Sequence, residues 1–207
     1  MSDKVYNVLF LCTGNSARSI LGEALMNKMG EGQFAAYSAG SQPKGDVHPM
    51  AIEVLGNFGY PTEGLRSKSW DEFTKPGAPE FDFIFTVCDN AAGESCPVFP
   101  GKPITAHWGV EDPAAVEGEG QRKAFLKALS YLKRRVELFL MLPIKAIDEM
   151  AMRSKLGEIG REEGASTKAR AAFVKEDGEQ VVDAAGQPMA AARRIRGSSS
   201  RHGADPK

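Results

Sequence analysis

Apolar positions along the chain switch repeatedly between two rhythms. Val8, Leu9, Phe10 and Leu11 form an uninterrupted apolar run bounded by polar residues, the pattern of a short strand buried on both faces. From Arg18 onward Ile20, Leu21, Ala24, Leu25 and Met29 recur at helical spacing. Residues 34–38 read as a second strand closed by Ala39-Gly40, and residues 49–58 as a modest helix ended by Gly59. Residues 81–87 give a third strand and residues 103–106 a short fourth. Residues 121–142 make the strongest helix, with Phe125, Leu129, Leu132, Val136, Phe139 and Leu140 on one face. Strands alternating with helices predict βαβ units and a parallel sheet, whose ligands bind beyond the carboxyl ends of the strands. Cys12 and Cys88 both fall at such ends.

Pro143 breaks the long helix, and residues 144–159 predict one more amphipathic helix. The chain therefore divides into a domain over 1–142, a helical extension over 143–160 and a tail over 161–207. The tail has only Phe173, Val174, Val181, Val182 and Ile195 as strong apolar residues, too few to offset chain entropy, so it is expected to be disordered. Asp177-Gly178 between β-formers allows a lone hairpin there, marginal by itself. On this reading, cutting the chain after Gly160 leaves activity and most thermal stability intact.

Charge narrows the function by exclusion. With 26 basic and 27 acidic residues the formal net charge is −1, so no global field favours nucleic acid or a membrane surface. The short basic cluster ARRIRG in the tail reads as solvated. No run of 18 apolar residues predicts a membrane span, and a polar loop stands where a signal cleavage site would be needed. Three cysteines, an odd number, fit the cytoplasm better than a disulfide scaffold. Cys88 and Cys96 lack zinc-ligand spacing, so no metal is expected.

The sharpest chemical signal is CTGNSAR, a C-x5-R loop running from strand end to helix start. Helix N-terminal amides and the helix dipole make such a loop an anion trap over Thr13, Gly14, Asn15, Ser16, Ala17, Arg18 and Ser19. A thiol there, beside a guanidinium, is tuned toward the thiolate. Arg18 offers a rigid fork to two oxygens of a tetrahedral oxyanion. Gly14 permits positive φ and Asn15 tolerates it, so successive N–H groups can converge. Ser16 and Ser19 can brace the loop or donate to the sulfur. The bland alternative, a structural cysteine with a solvated arginine, suits a bare C-x5-R but not one set between strand and helix.

CTGNSARS resembles the phosphate-binding loop of the low-molecular-weight protein tyrosine phosphatase superfamily. The resemblance covers residues 5 to about 142. It implies a four-stranded parallel sheet with helices on both faces, Cys12 as nucleophile, Arg18 as oxyanion clamp and Asp112 of Asp112-Pro113 as general acid. A plain helix cap is the alternative for Asp112. Phosphatases of the superfamily usually add a second cysteine in the loop and aromatics after Asp-Pro. Here Ala17 and Ala114-Ala115 stand in those places.

The stretch from Thr86 through HWGVEDPAA instead looks like the arsenate reductase branch, which adds cysteines after the third strand. That likeness implies thiol-dependent reduction of arsenate to arsenite, with Cys88 attacking the sulfur of Cys12 and Cys96 relaying the disulfide. It also implies no tightly bound cofactor and an external thiol reductant, either thioredoxin or glutathione with glutaredoxin. The cysteine spacing is one residue longer than is frequent among thioredoxin-coupled members, so the reductant stays open. Some relatives bind a monovalent cation beside the loop through an acidic residue. Lys68 holds that position here and is either a replacement for the ion or a solvated lysine. His107 is expected to orient the loop before Asp112, and Trp108 to pack.

Overall fold

The computed structural model describes residues 4–93 and 97–171. Four strands, β1 (Tyr6–Cys12), β2 (Phe34–Gly40), β3 (Phe83–Thr86) and β4 (Ile104–His107), pair in parallel in the order β2-β1-β3-β4. Helices α1 (Arg18–Met29) and α2 (Pro49–Asn57) alternate with β1 to β3 as the apolar rhythm predicts. β4 follows β3 with no α-helix between them among the described residues, and α3 (Gln121–Leu140) and α4 (Glu149–Gly160) come after β4. The register sets Cys12 of β1 beside Gly40 of β2, and Leu11 beside Thr86 of β3. The carboxyl ends of β1 and β3 therefore lie side by side, which brings Cys12 and Cys88 to one sheet edge.

Alternation along β1 sends Val8 and Phe10 to one face and Leu9 and Leu11 to the other. The first face buries the apolar sides of α1 to α4, among them Ile20, Leu25, Val54, Phe125, Leu132 and Leu156. The opposite face is covered by the short 3-10 turn Trp70–Phe73 and by Phe81 and Phe99. Both faces are covered, but the four α-helices gather on one. Trp108 packs as expected: it is fully buried, stacks on Phe85 at 3.7 Å between centroids, and donates its Nε1–H to Leu156 O at 3.1 Å.

The helix expected over 144–159 begins later, at Glu149, because Asp148 caps it through a bond from Ala151 N at 2.9 Å. A larger departure follows. Residues 161–171, assigned from the sequence to the disordered tail, belong to the same compact unit as the sheet and include a short helix, α5 (Thr167–Ala171). Ala165, Ser166 and Ala169 are buried, and Ala165 makes an antiparallel bridge with Val110. The fully buried Arg135 of α3 donates from Nη1 to Tyr131 O and from Nη2 to Glu162 O, and burial pushes its guanidinium down to about 10. Small residues and backbone carbonyls do this packing, so an inventory of large apolar side chains overlooks it. The possible hairpin around Asp177-Gly178 and the ARRIRG cluster lie outside the described residues.

Truncation after Gly160 is therefore expected to destabilise, contrary to the reading of composition. It strips one bond from buried Arg135 and exposes the surface under Ala165 and Ala169, a cost of about 2–4 kcal/mol. The melting temperature should fall by about 5–10 °C, while truncation after Ala171 retains these contacts. Equal melting temperatures for the two truncations would refute the packing role.

Candidate active site

The loop between β1 and α1 is held by buried polar contacts. Asn15 is fully buried and is the one non-glycine residue with positive φ among those described, at 40°. Its Nδ2 donates to Ser19 Oγ at 2.9 Å and Ser38 Oγ at 2.8 Å, and its Oδ1 accepts from Lys68 N at 2.8 Å. These three bonds offset the strain of a left-handed backbone and fix the turn. Gly14, expected to share that conformation, does not adopt it; the stem of Lys44 lies against it instead, 3.3 Å from where a Cβ would stand. Gly40 has the tighter requirement, since a Cβ there would come 2.4 Å from Thr13 O.

Cys12 sits at the loop's centre. Its Sγ is hydrogen-bonded with Ser19 Oγ at 2.9 Å and accepts from Asn15 N at 3.2 Å. Ala17 at the helix start makes no side-chain cap, and α1 has no acidic residue in its first turn, so the N-terminal amides remain available to an anion. Arg18 reaches back across the loop: Nη1 donates to Val110 O at 3.2 Å, and Nη2 pairs with Asp112 Oδ2 at 3.0 Å. Asp112 is also a cap, its Oδ1 accepting from Ala114 N at 3.1 Å. The cap reading of this residue thus holds for one oxygen, while the other faces Arg18.

Cys88 is 2 % exposed, and its Sγ lies 3.6 Å from Thr13 Oγ1, within hydrogen-bonding range for sulfur. This contact sets the second thiol beside Thr13 of the Cys12 loop. Cys96 lies outside the described residues. An open cavity of about 540 Å³ borders Thr86, Ala91, Phe99 and His107, beside the Cys88 segment, and includes no residue of the Cys12–Arg18 loop. The loop itself is the better candidate for a small oxyanion, because the uncapped start of α1 and Arg18 are there.

Burial acts against the expected activation of Cys12. At 3 % exposure, desolvation pushes its thiol up, and the Ser19 hydrogen bond and Arg18 charge do not cancel the rise. With the folded value above the unfolded one of about 8.5, the native state keeps this proton where the unfolded chain has lost it. The resulting stability is fully present below about pH 8.5 and is lost as pH rises through the folded value. The melting temperature of the unaltered protein should therefore drop more steeply above about pH 8.5 than that of Cys12→Ser. Parallel melting curves against pH would contradict this.

Lys68 is buried rather than solvated, with Nζ 3.6 Å from Glu23 Oε2 and bonded to Arg66 O at 3.2 Å. Desolvation pushes Glu23 up and Lys68 down, each partly countered by the other's charge. Glu23 also accepts from Ser38 Oγ. A polar chain therefore runs from Glu23 through Ser38 and Asn15 to Ser19 and Cys12, and Lys68 neutralises its far end. Sequence reading did not find Glu23 or Ser38, whose only signal is polarity at otherwise buried positions.

His107 departs from expectation. It does not hold the Asp112 loop; Nδ1 is bonded to Thr86, and Nε2 meets Asp89 Oδ1 at 3.0 Å. Imidazole and carboxylate thereby tie β4 to the residue after Cys88. Asp89 was not singled out from the sequence, where nothing but its adjacency to Cys88 marks it.

A strand-end thiol, a side-chain-braced anion loop and an arginine paired with an Asp-Pro carboxylate, on a parallel sheet, define a class. The chain belongs to the low molecular weight phosphotyrosine protein phosphatase family, whose model matches residues 7–152. Its relatives include proteins named arsenate reductase. One from Halalkalibacterium halodurans is 33% identical over 141 residues, spanning 67% of this chain and 96% of the relative. Another from Bacillus subtilis is 32% identical over 123 residues, or 59% of this chain and 84% of the relative. The solved structure of an arsenate reductase in its oxidized state aligns with a TM-score of 0.53 at 27% identity, covering 63% of this chain and 93% of the other.

Proposed function

We propose that this protein reduces arsenate to arsenite through its own thiols. The observation that carries the reading is the second buried thiol, Cys88, poised 3.6 Å from Thr13 Oγ1 beside the Cys12 loop. A phosphatase completes its cycle with water and has no use for that thiol. Arsenate reduction needs it, because arsenic must accept two electrons.

Arsenate, a tetrahedral dianion, enters the Thr13–Ser19 loop and is clamped by Arg18 and the loop amides. Cys12 Sγ forms a bond to arsenic while one oxygen departs as water, the thiol proton passing to that oxygen by way of the Asp112 carboxylate. Cys88 thiolate then attacks Cys12 Sγ. The S–S bond forms, the Cys12–arsenic bond breaks, and its electron pair stays on arsenic as arsenite leaves. An external thiol system, thioredoxin or glutathione with glutaredoxin, reduces the disulfide. Cys96 is placed by its sequence position to receive it from Cys88. Free Cys12 and Cys88 suit a reducing compartment, so we assign the protein to the cytoplasm. Among the described residues no helix is long and apolar enough to cross a membrane.

Phosphotyrosine hydrolysis is the competing reading, favoured by the Arg18–Asp112 pair at 3.0 Å over Cys12, which suffices for that chemistry. Ala17 and Ala114-Ala115, in place of a second loop cysteine and ring-gripping aromatics, weigh against it. Incubating the pure protein with arsenate and each thiol system in turn, and measuring arsenite, tests the proposal. Arsenite should appear with at least one system. None with any, beside rapid phosphotyrosine hydrolysis, would overturn it.

A further inference from the structure

The segment 165–168 lies beyond the stretch that matches the family, yet it touches both loops at the carboxyl edge of the sheet. Ser166 N donates to Gly109 O at 2.9 Å, and Ala165 bridges Val110, whose carbonyl receives Arg18. The same segment grips the residue that follows Cys88. Ser166 Oγ donates to Asp89 Oδ1, Lys168 N donates to Asp89 Oδ2 at 3.3 Å, and Lys168 Nζ donates to Asp89 O at 2.8 Å. Asp89 is half-buried and also holds His107 Nε2. Gly109 makes room for this cluster, since a Cβ there would stand 2.2 Å from Ser166 Oγ and 2.5 Å from His107 Nε2.

We propose that Ser166 and Lys168 form a clasp on Asp89 that holds Cys88 in its buried place beside the Cys12 loop, making all three positioning residues for the Cys88 thiol. The Cys88 Sγ meets soft contacts, Thr13 Oγ1 at 3.6 Å and Ala91 N at 3.4 Å. Its carbonyl accepts from Ala92 N at 3.2 Å, and Val87 before it is held by Leu11 and Val110, while the chain after it forms a 3-10 turn. A thiol that must strike a neighbouring sulfur in line needs a fixed starting point. The three bonds to Asp89, with the His107 contact, supply it one residue away. Partial burial would raise the Asp89 carboxyl, but the bonds from Ser166, His107 and Lys168 N outweigh it and hold it below the ordinary carboxylate value. The clasp therefore grips a charged group at neutral pH, where such bonds are strongest.

The inference builds on the proposed role of Cys88, but its test reads the thiol directly. In the full-length protein, the rate at which iodoacetamide modifies Cys88 is followed by peptide mapping. Ser166→Ala and Lys168→Met should each raise it about fivefold or more, and Lys168→Arg should bring it back toward the original rate. Hydrolysis of p-nitrophenyl phosphate, which needs Cys12, Arg18 and Asp112 alone, should stay within about twofold of the original. A Cys88 rate unchanged in both variants would overturn the clasp. So would Cys12 and Cys88 becoming reactive together while hydrolysis collapses, the signature of general loosening. Failure of the reductase reading shows up separately, as absence of arsenite from the unaltered protein while Cys88 labelling still responds to the clasp variants.

Discussion

Replacing Cys12 by serine is expected to abolish arsenate reduction and any aryl-phosphate hydrolysis together, by roughly 10⁴-fold or more. Both reactions begin with the same attack, and an alcohol lacks the thiolate's nucleophilicity at neutral pH. Ser19 Oγ and Asn15 N contact the sulfur but neither is a base. Arg18→Ala should lose roughly 10³-fold through the same step, because it removes the guanidinium that reaches across the loop and releases Asp112 from its 3.0 Å pair. Arg18→Lys should restore little, since a single ammonium cannot span Val110 O, Asp112 and two substrate oxygens. Rates are measured as arsenite release and p-nitrophenol release on the same preparations. Substantial turnover in either Cys12→Ser or Arg18→Ala would place the chemistry elsewhere.

Cys88→Ser should separate the two reactions that Cys12→Ser removes together. Hydrolysis of an aryl phosphate needs no second thiol and should persist within a few-fold. Arsenite release should fall by roughly 10²-fold or more, because the electron pair for arsenic has lost its source while Cys12 still forms its bond to arsenic. One round of arsenate without reductant should cost the unaltered protein two free thiols, with Cys88 in the resulting disulfide. A Cys12–Cys88 product argues for an external thiol as the next donor, and a Cys88–Cys96 product for a protein relay. Should Cys88→Ser keep full turnover with glutathione and glutaredoxin, the external thiol attacks Cys12 directly and Cys88 is a strand-end packing residue.

Sequence alone determined the elements and the chemistry that each strand end presents. Residues 8–11, 34–38 and most of 81–87, where β3 spans Phe83–Thr86, were legible as strands because short apolar-rich runs bounded by turn residues mark buried strands. CTGNSAR was legible because a turn, a thiol and a helix start are local, and locality is what spacing encodes. Tertiary structure decided what met what. Parallel pairing of β1 with β3 brought Cys88 to Thr13, 75 residues away, and the return of the chain after β4 set Asp112 on Arg18. It also reversed two readings made from local chemistry. Helix and guanidinium suggested a depressed Cys12 pKa, but desolvation depends on the neighbours that bury the sulfur, and it prevails. Composition assigned 161–171 to a tail, yet Ala165, Ser166 and Ala169 pack, and Arg135 and Asp89 take bonds from that segment or its carbonyls. Small side chains and backbone groups stabilise only against a surface already formed. That surface is assembled from distant parts of the chain, so no local pattern announces it.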